Sequence, residues 1–277
     1  MRKVALFFSL LFAVSSFAGA LQDRSLNPEA LRELASYLGI PPEADLVVET
    51  QKRWLRKPTQ ERWEMAELSE EERAFVLNWG ITQHLFDDWK PNSDTFDQAL
   101  ILGATTGRME MRLNYLKTLW EEGTRFREIV WLTGDRPLDP RIDDLTDRSS
   151  NESEAAHILW DESDLPEEMR NLPVLFVAVP MFPEGRRPNT YDTLIAWLEE
   201  VERPCKALFI SDQPFCGYQL AIVQSTLPET FDFDLVGKGI DPMLYPTAAT
   251  VTLDSIARML YQERLFHSKG VGHTHNP

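Results

Sequence analysis

The sequence predicts an α/β protein: an open, mostly parallel five-stranded sheet with helices on both faces, preceded by a helical N-terminal segment. Three observations carry this. Apolar runs of strand length recur five times after Phe96. Helical patterns separate consecutive runs. Each run is almost continuously hydrophobic, as in parallel strands covered on both faces.

The first twenty residues read as an export signal. Arg2 and Lys3 form a positive n-region, Val4 to Phe17 an apolar h-region, and Ala18-Gly19-Ala20 an A-x-A cleavage site. An apolar run of about 14 residues is short for a membrane span, which takes about 20. Cleavage after Ala20 is expected, leaving a periplasmic or secreted chain with no transmembrane span; an uncleaved anchor is the alternative. Residues 21–92 form the helical segment. Asn27-Pro28-Glu29 starts a helix with a cap, a proline at the first position and an acidic first turn, and Leu31, Leu34, Ala35 and Leu38 follow at helical spacing. Ser69-Glu70-Glu71-Glu72 opens another, carrying Phe75, Val76 and Trp79. Between them Trp54 and Trp63 lie among basic residues, either packed against the main domain or forming a lid.

Residues 93–266 hold the α/β domain. Its expected strands are "ALILG" (99–103), "EIVWLTG" (128–134), "PVLFVAVP" (173–180), "KALFIS" (206–211) and "FDLVGKG" (233–239), with helices at Met109–Trp120, Ser153–Trp160, Thr190–Val201 and Gln219–Leu227. A last helix is expected over Thr252–Phe266, and 141–154 reads as a polar loop. Residues 267–277 read as a flexible tail.

Composition narrows the partners. With 28 Lys+Arg against 44 Asp+Glu the net charge is −16, and loss of Arg2 and Lys3 deepens it. Such a surface repels polyanions, so nucleic acid is not an expected partner. The two cysteines, Cys205 and Cys216, bracket a strand that holds them too far apart for a disulfide, so two free thiols are expected. No metal site is expected: His84 and His157 are isolated and the other three histidines lie near the C-terminus.

In an open parallel sheet ligands bind beyond the carboxyl ends of the strands, often on a helix N-terminus. The turns there are "GATTGR", with Gly103, Thr106 and Arg108 and with Arg112 one turn on; "TGDRPLDPR", with Gly134, Asp135, Arg136 and Arg141; "MFPEGRRPNT", with Glu184, Arg186, Arg187, Asn189 and Thr190; and "SDQPFCGYQ", with Ser211, Asp212, Gln213 and Tyr218. Arginines thus gather on one edge of an acidic protein, and guanidinium groups grip phosphate or carboxylate bidentately. The alternative is that they pair with the chain's own carboxylates. No P-loop, G-x-G-x-x-G or G-x-S-x-G fingerprint is present.

Taken in order, these blocks resemble the YdcF/SanA/ElyC-like family of bacterial envelope-associated proteins, across about Phe96 to Ile240. The likeness rests on "ALILGATTGR", "WLTGDRPL", Glu154-Ala155 opening a helix, and "EGRRPNTYDT". The last resembles the family's E-x-x-S-x-N-T-x-x-N block through Glu184, Asn189 and Thr190. Arg187 stands in place of the usual Ser and Thr193 in place of the usual Asn. Gln213 and Tyr218 lie where the family commonly has a His and an Arg. The resemblance implies a Rossmann-like domain tied to envelope maintenance and surface-glycan precursors. It also implies S-adenosylmethionine binding for one cytoplasmic branch; no cofactor is expected for an exported chain.

The expected function is that of an exported envelope protein that binds, or acts on, an anionic phosphate-bearing glycan or lipid-linked precursor. Arg108, Arg136 and Arg187 would hold the phosphate, with Gly103, Thr106, Gly134, Glu154, Asn189, Thr190, Ser211 and Gln213 lining the site. Glu184 or Asp135 would serve as acid or base. A non-catalytic ligand-binding protein or a scaffold is the alternative.

Overall fold

The computed structural model describes Arg24 and residues 26–57, 60, 61, 64, 65 and 67–271, the last three as backbone only. The expected signal segment, Trp63 and residues 272–277 lie outside the described residues. The expected sheet is present. Strands β1 (Gln98–Leu102), β2 (Glu128–Gly134), β3 (Val174–Val179), β4 (Lys206–Asp212) and β5 (Asp232–Lys238) run parallel throughout, in the order β3-β2-β1-β4-β5. The order reverses between β1 and β4, which is the switch point where ligand crevices open in such sheets. The architecture is Rossmann-like.

Strand alternation splits the core into two layers. Ala99 and Ile101 of β1, with Ile129 and Trp131 of β2, face α4 (Thr106–Glu121) and α5 (Glu152–Glu162). Leu100, Leu102, Val130 and Leu132 face α7 (Thr190–Glu200) and α8 (Cys216–Thr226), where Trp197 is fully buried. Helix α6 (Glu167–Arg170) is a single turn before β3. Helices α4 and α8 follow their strands after three residues and α7 after a ten-residue loop, and the N-termini of all three come to the carboxyl edge of the sheet.

The N-terminal helices are α1 (Pro28–Tyr37), α2 (Leu46–Arg53) and α3 (Glu70–Thr82). Asn27 caps α1 through Glu29 N–H and Ala30 N–H, and Ser69 with Glu72 closes a capping box on α3, as the sequence signals required. Helix α2 was not expected: Leu46-Val47-Val48 is contiguous rather than periodic, and Thr50 is its one buried residue. These helices form a third core with the last helix, α9 (Ala248–Val271), through Leu34, Val76, Trp79, Leu253 and Ile256. Trp54 is buried in that core, which favours its packing role over a lid. Helix α9 starts four residues before and ends five residues after its expected limits, so His267 belongs to the helix rather than to a tail.

The segment is also tied to the sheet. Trp89 exchanges backbone hydrogen bonds with Gly237 of edge strand β5 (2.9 and 3.2 Å), and Arg24 pairs with Asp234 at 2.6 Å. Covering an edge strand in this way removes a template for unwanted strand pairing. Cys205 and Cys216 are free thiols, as expected. Among the described residues no helix is long and apolar enough to cross a membrane.

Because Leu34 is fully buried between the N-terminal helices and α9, Leu34→Ala should destabilise the protein by about 2–5 kcal/mol. Urea denaturation followed by tryptophan fluorescence reads this as a lowered midpoint. A loss below about 1 kcal/mol would show that the N-terminal helices are not integral to the fold.

Candidate functional site

A cleft of about 1490 Å³ opens at the carboxyl edge of the sheet. Its floor is the β1 turn from Leu102 to Thr105 with Leu132 and Gly134 of β2, and its walls include the N-termini of α4 and α7 and the facing sides of α8 and α9. Leu55, Arg56 and Glu61, which follow α2, close the remaining side. The described lining holds six arginines (Arg56, Arg108, Arg112, Arg136, Arg187 and Arg258) against three carboxylates. In a chain of net charge −16 that is a local inversion of sign.

The two ion-pair networks beneath the cleft follow from the topology. Helix α4 descends from β1 beside β4, so Arg108 and Arg112, one helical turn apart, both reach Asp212 at the end of β4 across the switch point. Asp212 is fully buried. Its Oδ1 accepts from Arg112 Nε at 2.7 Å and its Oδ2 from Arg108. Arg112 also donates to the carbonyls of Leu102 (2.5 Å) and Gly103 (3.0 Å). It is saturated and structural, whereas Arg108 keeps 19% of its side chain exposed and lies over the Phe215 ring at 4.5 Å.

The second network is built on Arg136. Its guanidinium forks onto Asp143 (2.9 and 3.1 Å), and its Nε donates to Glu152 Oε2 at 3.1 Å. Asp143 Oδ1 also accepts Thr106 N–H at 3.0 Å, while Thr106 Oγ1 accepts Asp144 N–H at 2.9 Å. The N-terminus of α4, where an outside anion was expected, is therefore capped by the protein's own carboxylate. Burial works against the Asp143 carboxylate, yet the Arg136 fork and two backbone donors hold its pKa below the usual value. Burial also opposes the Arg136 charge, but Asp143 and Glu152 together raise its pKa.

Glu152 goes the other way. Burial pushes its carboxyl above the ordinary value despite Arg136. It lies against the β1 turn so closely that a Cβ on Gly103 would sit 2.1 Å from Glu152 Oε1 and 2.7 Å from the Leu132 carbonyl. Only glycine fits at position 103.

The structure brings together seven of the residues read from the sequence: Gly103, Arg108, Gly134, Arg136, Arg187, Asn189 and Thr190 all line the cleft. Asn189 also caps α7, in a capping box with Asp192. Arg187 is 47% exposed and paired with Glu61 at 2.9 Å. The other six are placed elsewhere. Thr106 is buried with its N–H and hydroxyl engaged as described. Ser211 is buried against Gln219, and Gln213 is buried with its amide donating to the Asp87 carbonyl. Glu154 is exposed and accepts from Ser150 at the start of α5. Of the expected acid–base pair, Asp135 accepts from Ser153 (2.8 Å) and Glu184 is exposed in the loop after β3; neither is among the described lining residues. Arg186 is engaged by Asp192 (2.7 Å).

Among the charged lining groups, Arg56, Glu61, Glu152 and the Asp254–Arg258 pair (2.9 Å) were not singled out by the sequence. Asn151 followed three residues later by Glu154 is a capping pattern. That pattern could have assigned Glu154 to the helix end and moved attention to Glu152. Among the described residues no cluster of His, Cys, Asp or Glu has the form of a metal site.

Replacing Asp212 by Asn would leave two arginines over one neutral amide. Loss of one member of a buried charge network costs about 3–5 kcal/mol. Thermal and urea denaturation of Asp212→Asn should report that loss, and a change under about 1 kcal/mol would contradict the structural role assigned to the carboxylate.

No family model, curated protein or solved structure matches this chain, so the function of the cleft is argued from its own chemistry.

Proposed function

We propose that the cleft binds an anionic, phosphate-bearing ligand of the cell envelope, a glycan or lipid-linked precursor, in an exported protein. The observation that carries the proposal is the six-arginine lining at the switch point of an otherwise acidic chain. Arg108, Arg112, Arg136 and Arg258 all pair with internal carboxylates, but Arg112 and Arg136 are the least accessible, with side-chain exposures of 2% and 12%, whereas Arg108 and Arg258 keep 19% and 34%. The ligand therefore meets Arg108 and Arg187, with Arg56 and Arg258 further along the walls. Arg56 supports this, because its Nε is buried and has no hydrogen-bond partner among the described residues. Arg187 offers the most accessible guanidinium of the six, and an incoming phosphate would compete there with Glu61.

Binding is favoured over catalysis by one observation: Glu184 and Asp135, the two carboxylates expected to carry acid–base chemistry, are not among the described residues lining the cleft. The proposed scaffold alternative, docking through the N-terminal helices, is disfavoured by their burial against α9.

A charge-assisted hydrogen bond contributes roughly 1.5–3 kcal/mol. Arg187→Ala and Arg108→Ala should therefore each weaken binding by about tenfold or more. UDP-N-acetylglucosamine, a pyrophosphate-linked sugar, is a suitable probe for calorimetric titration and thermal shift. Equal affinity in wild type and both variants, or no binding to wild type, would overturn the proposal.

A further inference from the structure

Glu152 is the one lining carboxylate at the floor of the cleft, and neither network needs all of its hydrogen-bonding capacity. Oε2 accepts from Arg136 Nε at 3.1 Å, whereas among the described residues Oε1 accepts only Gly134 N–H, at a long 3.3 Å. Oε1 is also the atom pressed against the Gly103 turn, whose backbone lines the cleft beside Arg108. Charged groups face Glu152 from three further elements: Arg136 with its partner Asp143 from the loop after β2, Arg112 from α4, and its partner Asp212 from the end of β4. Asp143 offsets Arg136, and Asp212 is shared between Arg112 and Arg108, so an anion arriving at the floor meets the Glu152 carboxylate with most of the neighbouring guanidinium charge already offset.

We propose that Glu152 is a ligand-contacting residue, meeting the ligand's oxyanion as a neutral carboxylic acid and donating a hydrogen bond to it from Oε1. The inference rests on the cleft being an anion site. Two negative charges at hydrogen-bond distance in a buried setting cannot both persist, and one takes up a proton. The proton comes from solvent and lies on Oε1 between the carboxyl and the oxyanion, so one proton is bound per ligand. Arg136 Nε keeps its bond to Oε2. Burial already raises the Glu152 pKa in the free protein, so the neutral form is within reach. Binding must then tighten as pH falls, because the complex holds a proton that the free protein releases at higher pH.

The test is calorimetric titration of UDP-N-acetylglucosamine, whose diphosphate charge is constant between pH 4 and 8, in buffers of different ionisation heat. On the alkaline side of the Glu152 titration, where the free protein holds the carboxylate, wild type should take up a proton with each ligand. Its affinity should rise towards a tenfold limit per pH unit as pH falls through the alkaline side of the Glu152 titration. Glu152→Gln, which keeps a neutral donor of the same shape, should bind within about threefold of wild type at pH 5, with no proton uptake and a flat pH profile. Binding without proton uptake in wild type, or unchanged uptake in Glu152→Gln, would overturn the role of Glu152 and leave the anion site standing. Absence of binding by wild type at every pH would overturn the anion site itself. The wild-type uptake decides the question even if Glu152→Gln fails to fold.

Discussion

Asp212, fully buried between Arg108 and Arg112, is the constraint on which the functional edge depends. The strand order reverses between β1 and β4, so the carboxyl ends of these two strands diverge into a crevice with backbone and charge on both sides. One carboxylate at the end of β4 and two arginines on the helix after β1 bind those sides together. The same arrangement leaves Arg108 partly exposed, over the Phe215 ring and lining the cleft. The second network, Arg136 with Asp143 and Glu152, does for β2 and its loop what Asp212 does for β4.

The strand-turn-helix junction at "GATTGR" suggested an anion on the N-terminus of α4. An anion is there, and it is Asp143. An internal carboxylate at that position fixes the loop after β2 and takes up the Thr106 N–H that an outside anion would have used. On the proposed reading the ligand's charge falls to guanidinium groups that remain partly exposed, foremost Arg187, whose pair with Glu61 is itself partly exposed. Buried arginine–carboxylate pairs are weak evidence for stability, but breaking one by removing a partner is costly, so the two networks tie the cleft floor together.

The architecture was legible because buried parallel strands must be continuous apolar runs. "EIVWLTG", with Ile129 through Gly134 buried, shows that relation directly. Caps were legible for the same local reason: Asn27, Ser69 and Asn189 each satisfy backbone donors within their own first turn. The charged networks were not legible. Arg108 and Asp212 are separated by 104 residues, and Thr106 and Asp143 by 37. Spacing placed the arginines on one edge, but only the register of the sheet decides which carboxylates reach them. The two-residue difference between Glu154 and Glu152 has the same origin, since one turn of α5 carries both an exposed capping face and a buried face.

On the proposed reading, the exposed guanidinium groups of this cleft hold the phosphate of an envelope ligand. A crystal structure of the protein grown with UDP-N-acetylglucosamine tests it most directly. The account predicts diphosphate density in the cleft, within hydrogen-bond distance of Arg187 and Arg108, with Asp143 still capping α4. Diphosphate bound elsewhere, or a cleft without ligand density at saturating concentration, would contradict it.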